Sequence, residues 1–120
     1  MQNKKELSRK KRHHRIRLSL SGTPEKPRLV IHRSLKNLNA QVIDDVSNSV
    51  IFSMSTQDKN LKEKFPNAGN IKAAEFFGQE FAKKIKEKGI VKVVFDRAGY
   101  LYHGRIKTFA DNVKKGGIVL

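Results

Sequence analysis

The chain contains no cysteine, which excludes disulfides and thiolate metal sites and fits a reducing compartment. No apolar run approaches the length of a membrane span, and the basic start lacks the apolar segment of a secretory signal. Acids are scarce. Eleven Asp and Glu stand against twenty-six Lys and Arg, leaving a formal charge of +15. That excess is far beyond what solubility requires, so it calls for a polyanionic partner. With 120 residues the chain is expected to be one soluble, intracellular domain, able to bury about two-thirds of its unfolded surface without staples.

The charge is unevenly spread. Residues 1–20 carry +7, residues 21–60 carry +1 and residues 61–120 carry +7. The first segment holds Lys4, Lys5, Arg9, Lys10, Lys11, Arg12, Arg15 and Arg17 against one acid, Glu6. Its few apolar residues, Leu7, Ile16, Leu18 and Leu20, form no helical stripe, so tertiary packing is not expected to order it. A disordered or frayed arm that becomes helical on binding nucleic acid follows, since phosphate contacts remove the like-charge repulsion. The bland alternative is a solvated tail. His13-His14 is no metal site: adjacent side chains share no helix face, and flanking arginines oppose a cation.

Gly22, Pro24 and Pro27 separate this arm, residues 1–22, from a domain over residues 23–120. Alternation predicts strands at Arg28 to Ser34, Ala40 to Ile43 and Val50 to Ser55, joined by short polar turns into an antiparallel meander. A helical turn at Leu61 to Phe65 must end at Pro66. Asn70 is placed to cap a helix in which Ile71, Ala74, Gly78, Phe81, Ala82 and Ile85 recur at helical spacing, and Gly89 is placed to stop it. Val91 to Phe95 reads as a fourth strand buried on both faces and parallel to the first. A last helix runs from about Gly104 to Lys115, ended by Gly116-Gly117, with Ile118 to Leu120 as a short edge strand. The expected fold class is α/β: a single domain whose mixed, mostly antiparallel sheet of about four strands, in the order 3-2-1-4, packs with two main helices.

Chemistry concentrates between the fourth strand and the last helix. Arg97 and Arg105 are suited to grip phosphate bidentately, and Lys107 adds a point charge. Tyr100, Tyr102 and His103 offer flat faces for unpaired bases or sugars. Gly104 opens a helix whose free N–H groups and positive dipole end face the same region. Asp96, which phosphate would repel, is expected to orient Arg97 or Arg105 or to cap a local N–H. A second surface is the turn with Arg33, Ser34, Lys36 and Asn37, whose bland reading is ordinary turn chemistry.

These segments carry a resemblance. Pro27-Arg28-Leu29, His32-Arg33-Ser34, Ala40 to Asp44, Ser55-Thr56, Gly69-Asn70 with Ala73-Ala74, Gly89-Ile90, and above all Phe95-Asp96-Arg97-Ala98-Gly99-Tyr100 running through Tyr102 to Lys107 and on to Ala110-Asp111, are similar to the bacterial large-subunit ribosomal protein family L-eighteen. The similarity runs from about residue 5 to the C-terminus in one order. The resemblance implies binding to 5S ribosomal RNA, help in attaching it to large-subunit RNA at the central protuberance, and neighbouring ribosomal proteins as partners. It implies a ribosome of the cytoplasm or of an organelle, with no cofactor, small-molecule substrate, membrane or catalysis. It adds Arg28, His32, Ser55, Thr56 and Asn70 to the expected contacts, beside His13 and His14 of the arm. The family commonly has an aromatic where Asn39 stands, and Asn39 stays outside the expected set.

Two rival classes differ in what they require. A metal-dependent nuclease would need Asp44, Asp45, Asp96 and Asp111 to converge, yet they fall on different elements and the adjacent pair diverges on a strand end. A general nucleic-acid binder or RNA chaperone needs only the charge, and would show no preference for one RNA.

Overall fold

The computed structural model describes residues 4–67 and 69–120. The first three residues of the expected arm lie outside the described residues. In chain order the elements are α1 (Lys4–Ser19), β1 (Arg28–Arg33), β2 (Leu38–Asp44), β3 (Ser49–Ser55), α2 (Lys59–Lys64), α3 (Ile71–Glu87), β4 (Val94–Asp96) and α4 (Gly104–Lys115). They form one α/β domain with a four-stranded sheet in the order β3-β2-β1-β4. β1 pairs antiparallel with β2 and parallel with β4, setting Leu29 beside Val42 and Phe95.

The alternation of β2 decides which face is core. Leu38, Ala40, Val42 and Asp44 are buried, while Asn39, Gln41 and Ile43 between them are half-buried. Leu29, Ile31, Leu38, Ala40 and Val42 meet α3 and α4 through Phe77, Phe81, Ile85, Ile106, Phe109 and Val113. The rings of Phe77 and Phe109 lie 5.3 Å apart and those of Phe81 and Phe109 5.5 Å apart, within the separations of packed aromatic pairs. Gly78 permits this approach of the helices. A Cβ there would stand 2.8 Å from the Phe109 carbonyl oxygen.

Both main helices end in the same way. After α3, Gly89 takes a φ of 82°, its N–H donates to Lys86 O and Ile90 N–H donates to Ile85 O. After α4, Gly117 takes a φ of 96°, its N–H donates to Lys114 O and Ile118 N–H donates to Val113 O. This is the paired Schellman arrangement, in which glycine accepts the left-handed conformation without a Cβ clash. At the other end of α3, Asn70 Oδ1 accepts from Ala73 N–H at 2.9 Å, the capping expected from the sequence.

Two expectations about individual elements need correction. The apolar run Val91 to Phe95 is not one strand buried on both faces: β4 covers only Val94–Asp96, and Val91 is 49% exposed. Ahead of β4 the chain instead meets the C-terminal stretch, where Val93 N–H donates to Val119 O and Val119 N–H to Val91 O, with a parallel bridge between Lys92 and Val119. Ile71, counted into the apolar stripe of α3, sits in its first turn and is 48% exposed, while Ala73 and Phe77 complete the buried face.

The arm, which contacts with the rest of the chain were not expected to order, is instead helical from Lys4 to Ser19 and docked on the sheet face opposite α3 and α4, at its β1–β4 end, where Arg28, Val30 and Asp96 point. Leu7 is 46% exposed, in keeping with the missing apolar stripe. What docks the helix is polar.

Candidate nucleic-acid interface

A chain of alternating charges fixes α1. The Asp96 side chain is fully buried; Oδ1 accepts from Ala98 N–H at 2.8 Å, and Oδ2 accepts from Arg28 Nη1 at 2.7 Å and from His13 Nε2 at 3.1 Å. The other side of the Arg28 fork donates to both oxygens of Asp45, at 3.0 and 3.2 Å, and Arg17 Nη2 approaches Asp45 at 3.7 Å. Burial works against the Arg28 charge, but its hydrogen bonds to Asp45 and Asp96 outweigh burial and hold its pKa above the ordinary arginine value. The hydrogen bond from Arg28 likewise holds Asp45 below the usual carboxylate range. Gly22 N–H donates to Asp45 Oδ2 at 2.7 Å, tying the end of the arm to the same acid.

The expectation for Asp96 holds through one of its two alternatives. It does cap a local N–H, that of Ala98, but the cation it orients is Arg28 rather than Arg97 or Arg105. Arg28, placed among the RNA contacts, is 8% exposed and spent on these two acids.

The second dock is the turn after β4. Ala98 and Gly99 have φ of 55° and 80°, and Tyr100 N–H donates to Arg97 O, closing a turn with two left-handed central residues. The outward carbonyls of this turn receive α1: Arg9 Nη1 donates to Ala98 O and Arg12 Nε to Gly99 O, both at 2.8 Å. Gly99 is required twice over, by its φ and because a Cβ would stand 2.1 Å from Arg9 O. The arm is thus sorted by helical spacing. Arg9, Arg12, His13 and Arg17 turn toward the domain, while Lys4, Lys5, Lys10, Lys11, His14 and Arg15 are exposed.

One end of the sheet gathers the rest. β1 and β3 end there, β2 begins there, and the loop after β4 leaves there. Arg105, in the first turn of α4, donates from Nη2 to Ser34 O at 2.7 Å, and Tyr100 Oη donates to Arg33 O at 3.1 Å. The turn before α3 adjoins them, since a Cβ on Gly69 would stand 2.6 Å from Leu35 O, which places Asn70 nearby. Lys36 and His32 are exposed at this end, and the His32 ring lies 6.5 Å from that of His13. Gly104 takes a φ of 57° with no atom within 4 Å of a would-be Cβ, so the N-terminal end of α4 is open beside exposed His103 and Lys107.

Several expected contacts have internal partners. Thr56 is 3% exposed, donates from Oγ1 to Asn37 Oδ1 at 3.0 Å and accepts from Leu38 N–H at 3.0 Å, so these two side chains hold the turn. Ser55 Oγ accepts from Gln57 N–H, and Arg97 Nη1 donates to Tyr100 O. The Tyr100 ring packs on the core and is covered by guanidinium groups, Arg9 at 4.6 Å and Arg33 at 5.2 Å from its centroid. Tyr102 meets Phe95 edge to face at 6.3 Å, yet is 42% exposed. Burial, then the nearby Asp111 carboxylate, raises its phenol pKa.

The four aspartates do not converge. Asp45 and Asp96 flank one guanidinium, Asp44 accepts from Val46 N–H and Ser47 Oγ in the β2–β3 turn, and Asp111 lies 3.6 Å from Lys107 Nζ. Among the described residues no group of three or more His, Asp or Glu is placed to hold a metal ion.

Between α1, the Ser34 turn and the start of α4 opens a cleft of about 940 Å³, lined by Lys4, Lys5, Arg12, Arg33, Arg105 and Tyr100 among others. Sequence reasoning placed these side chains in three separate surfaces and missed Leu35 and Leu101, which stand on the same cleft at 85% and 64% exposure. Asn39, left outside the expected contacts, shares with Gln41 the half-buried face of β2, as the alternation of that strand requires.

The chain is similar to known proteins over nearly its whole length. The chain is 49% identical over 115 residues to the large ribosomal subunit protein uL18 of Kosmotoga olearia, covering 96% of this chain and 93% of that one. It is 49% identical over 110 residues to the protein of the same name from Staphylococcus epidermidis, covering 92% and 90%, and 44% identical over 115 residues to that of Dictyoglomus turgidum, covering 96% and 93%. Residues 3–120 match the family described as ribosomal L18 of archaea, bacteria, mitochondria and chloroplasts, and the chain belongs to that family.

Proposed function

We propose that this chain, a ribosomal protein and not an enzyme, is a constituent of the large subunit that binds 5S ribosomal RNA and helps attach it to large-subunit RNA among neighbouring ribosomal proteins. The observation that carries the reading is the convergence of Lys4, Lys5, Arg12, Arg33 and Arg105 on one end of the sheet, beside exposed Lys36, His103 and Lys107. Lys10, Lys11, His14 and Arg15 extend that surface along α1. Phosphate contacts from these groups supply affinity, and their fixed placement on α1, one turn and one helix end supplies fit to a folded RNA. Arg28 and Thr56 support the surface from within, through Asp96 and Asn37.

The test is competition at physiological salt. Labelled 5S RNA bound to the full chain is challenged with transfer RNA and with duplex DNA of equal length. Strong preference for 5S RNA supports the reading; equal competition leaves only sequence-independent charge attraction.

A further inference from the structure

The cleft between α1 and the Ser34 turn has a charge imbalance that the protein itself does not settle. Five of its lining residues are Lys or Arg outside the Glu6–Arg9 pair, and Glu6, its acid, is 3.0 Å from Arg9 Nε. Arg33 and Arg105 stand close enough to repel, without a carboxylate between them: burial first, and the Arg33 charge second, lower the Arg105 pKa below the ordinary value. Arg105 Nη2 is held by Ser34 O at 2.7 Å, which fixes the plane of the fork. Its Nη1 is buried and has no hydrogen-bond partner. With Arg33 beside it and its fork held by a neutral carbonyl, the Arg105 guanidinium makes an anion the complementary partner of this cleft.

The walls say which anion. Leu35 and Leu101 expose apolar surface on the same cleft, and the Tyr100 ring lines it with Arg9 over its face. Neither a bare inorganic ion nor a carboxylate on its own has use for such walls. We propose that the cleft holds one nucleotide unit turned out of an RNA strand, its phosphate on Arg105 and Arg33 and its base or sugar against Leu35 and Leu101. The volume lies within the range of small-molecule sites, roughly 300–1,000 Å³. Because α1 forms one wall, the arm and the domain grip the same nucleotide, and docking of α1 becomes part of recognition.

The proposal rests on the RNA-binding reading, and two measurements on the full chain separate them. The first follows the Nε–Hε resonances of Arg33 and Arg105 while the protein is titrated with adenosine monophosphate, with inorganic phosphate and with a glutamate-rich peptide. Both resonances should move, at lower concentration with the nucleotide than with phosphate, and Arg33→Gln should abolish the Arg105 response. Movement with the peptide alone, or with none of the three, overturns the proposal. The second measures 5S RNA affinity of Arg33→Gln and Leu35→Ser, chosen because both side chains are exposed and neither is needed by the core. Arg33→Gln should weaken binding roughly tenfold or more, the scale of one charged hydrogen bond. Leu35→Ser should weaken binding with the salt dependence unchanged. Unaltered affinity in both variants, with wild type still selecting 5S RNA, overturns the cleft and leaves the function standing. Loss of that selectivity in wild type overturns the function, whatever the nucleotide titration shows.

Discussion

Replacing Asp96 with asparagine removes a negative charge from a chain of net +15, which by charge count alone should tighten its hold on RNA. The geometry predicts the reverse. If the asparagine oxygen keeps the Ala98 N–H, its amide nitrogen takes the place of Oδ2 and points a donor at Arg28 Nη1 and His13 Nε2, which stand 2.7 and 3.1 Å away. Breaking a buried pair by removing one partner costs about 3–5 kcal/mol, and because Arg28 keeps two bonds to Asp45 the lower end applies. For a domain of this size, about 3 kcal/mol corresponds to a melting temperature lower by roughly 10 °C. The helix α1 loses its central contact at the same time. Thermal melting of the RNA-free protein, with tryptic cleavage at Lys10 and Lys11 as a report on the arm, should show both changes, and RNA affinity should fall despite the gained charge. A melting temperature within about 2 °C of wild type, with cleavage unchanged, would refute the view that the Asp96 network holds the arm.

Gly99→Ala should lift α1 while sparing the core: the left-handed φ costs about 1–2 kcal/mol, and the added Cβ collides with Arg9 O. Amide exchange should accelerate across Lys4–Ser19 and stay slow in α3 and α4, and protection retained in the arm would count against the contact. Asp45 ionises in the folded protein below its unfolded value, so its stabilisation is present above about pH 4 and is lost as pH falls through the lowered folded value. The difference in melting temperature between wild type and Asp45→Asn should therefore be constant at neutral pH and close in acid, whereas a gap independent of pH would mean the carboxylate charge is not what matters. Deleting residues 1–20 should weaken RNA binding and flatten its salt dependence by roughly 0.7–0.9 log units per lost phosphate contact; an unchanged slope would show that the arm touches no phosphate.

Elements whose signals are local were legible in the sequence. The β3-β2-β1-β4 order follows from two short polar turns and one helical crossover, and the ends of α3 and α4 from Asn70, Gly89 and Gly117, residues whose backbone chemistry acts within a few positions. The cap from Asp96 to Ala98 N–H was readable for the same reason. Its cation was not, because Arg28 lies 68 positions away and an arginine on a strand carries no mark of which side will be dry. The dock of α1 was hidden likewise: it is made of arginine and histidine bonds across 83 to 89 residues, and hydrophobic periodicity, the strongest sequence signal, plays no part in it. Val91 belongs to an apolar run broken only by Lys92, yet the sheet uses only its end, and the part before it meets Val119. Thr56 entered the expected contacts through the family resemblance and Asn37 through its turn, and nothing local to either shows that their side chains hydrogen-bond to each other.

The central claim is that the basic end of the sheet, with the docked arm, recognises one folded RNA and not merely negative charge. Equilibrium competition of 5S RNA against transfer RNA and duplex DNA of equal length, on the full chain at physiological salt, tests it most directly. 5S RNA should remain bound in excess of either competitor, whereas displacement at equal concentration by both would mean that charge alone drives binding.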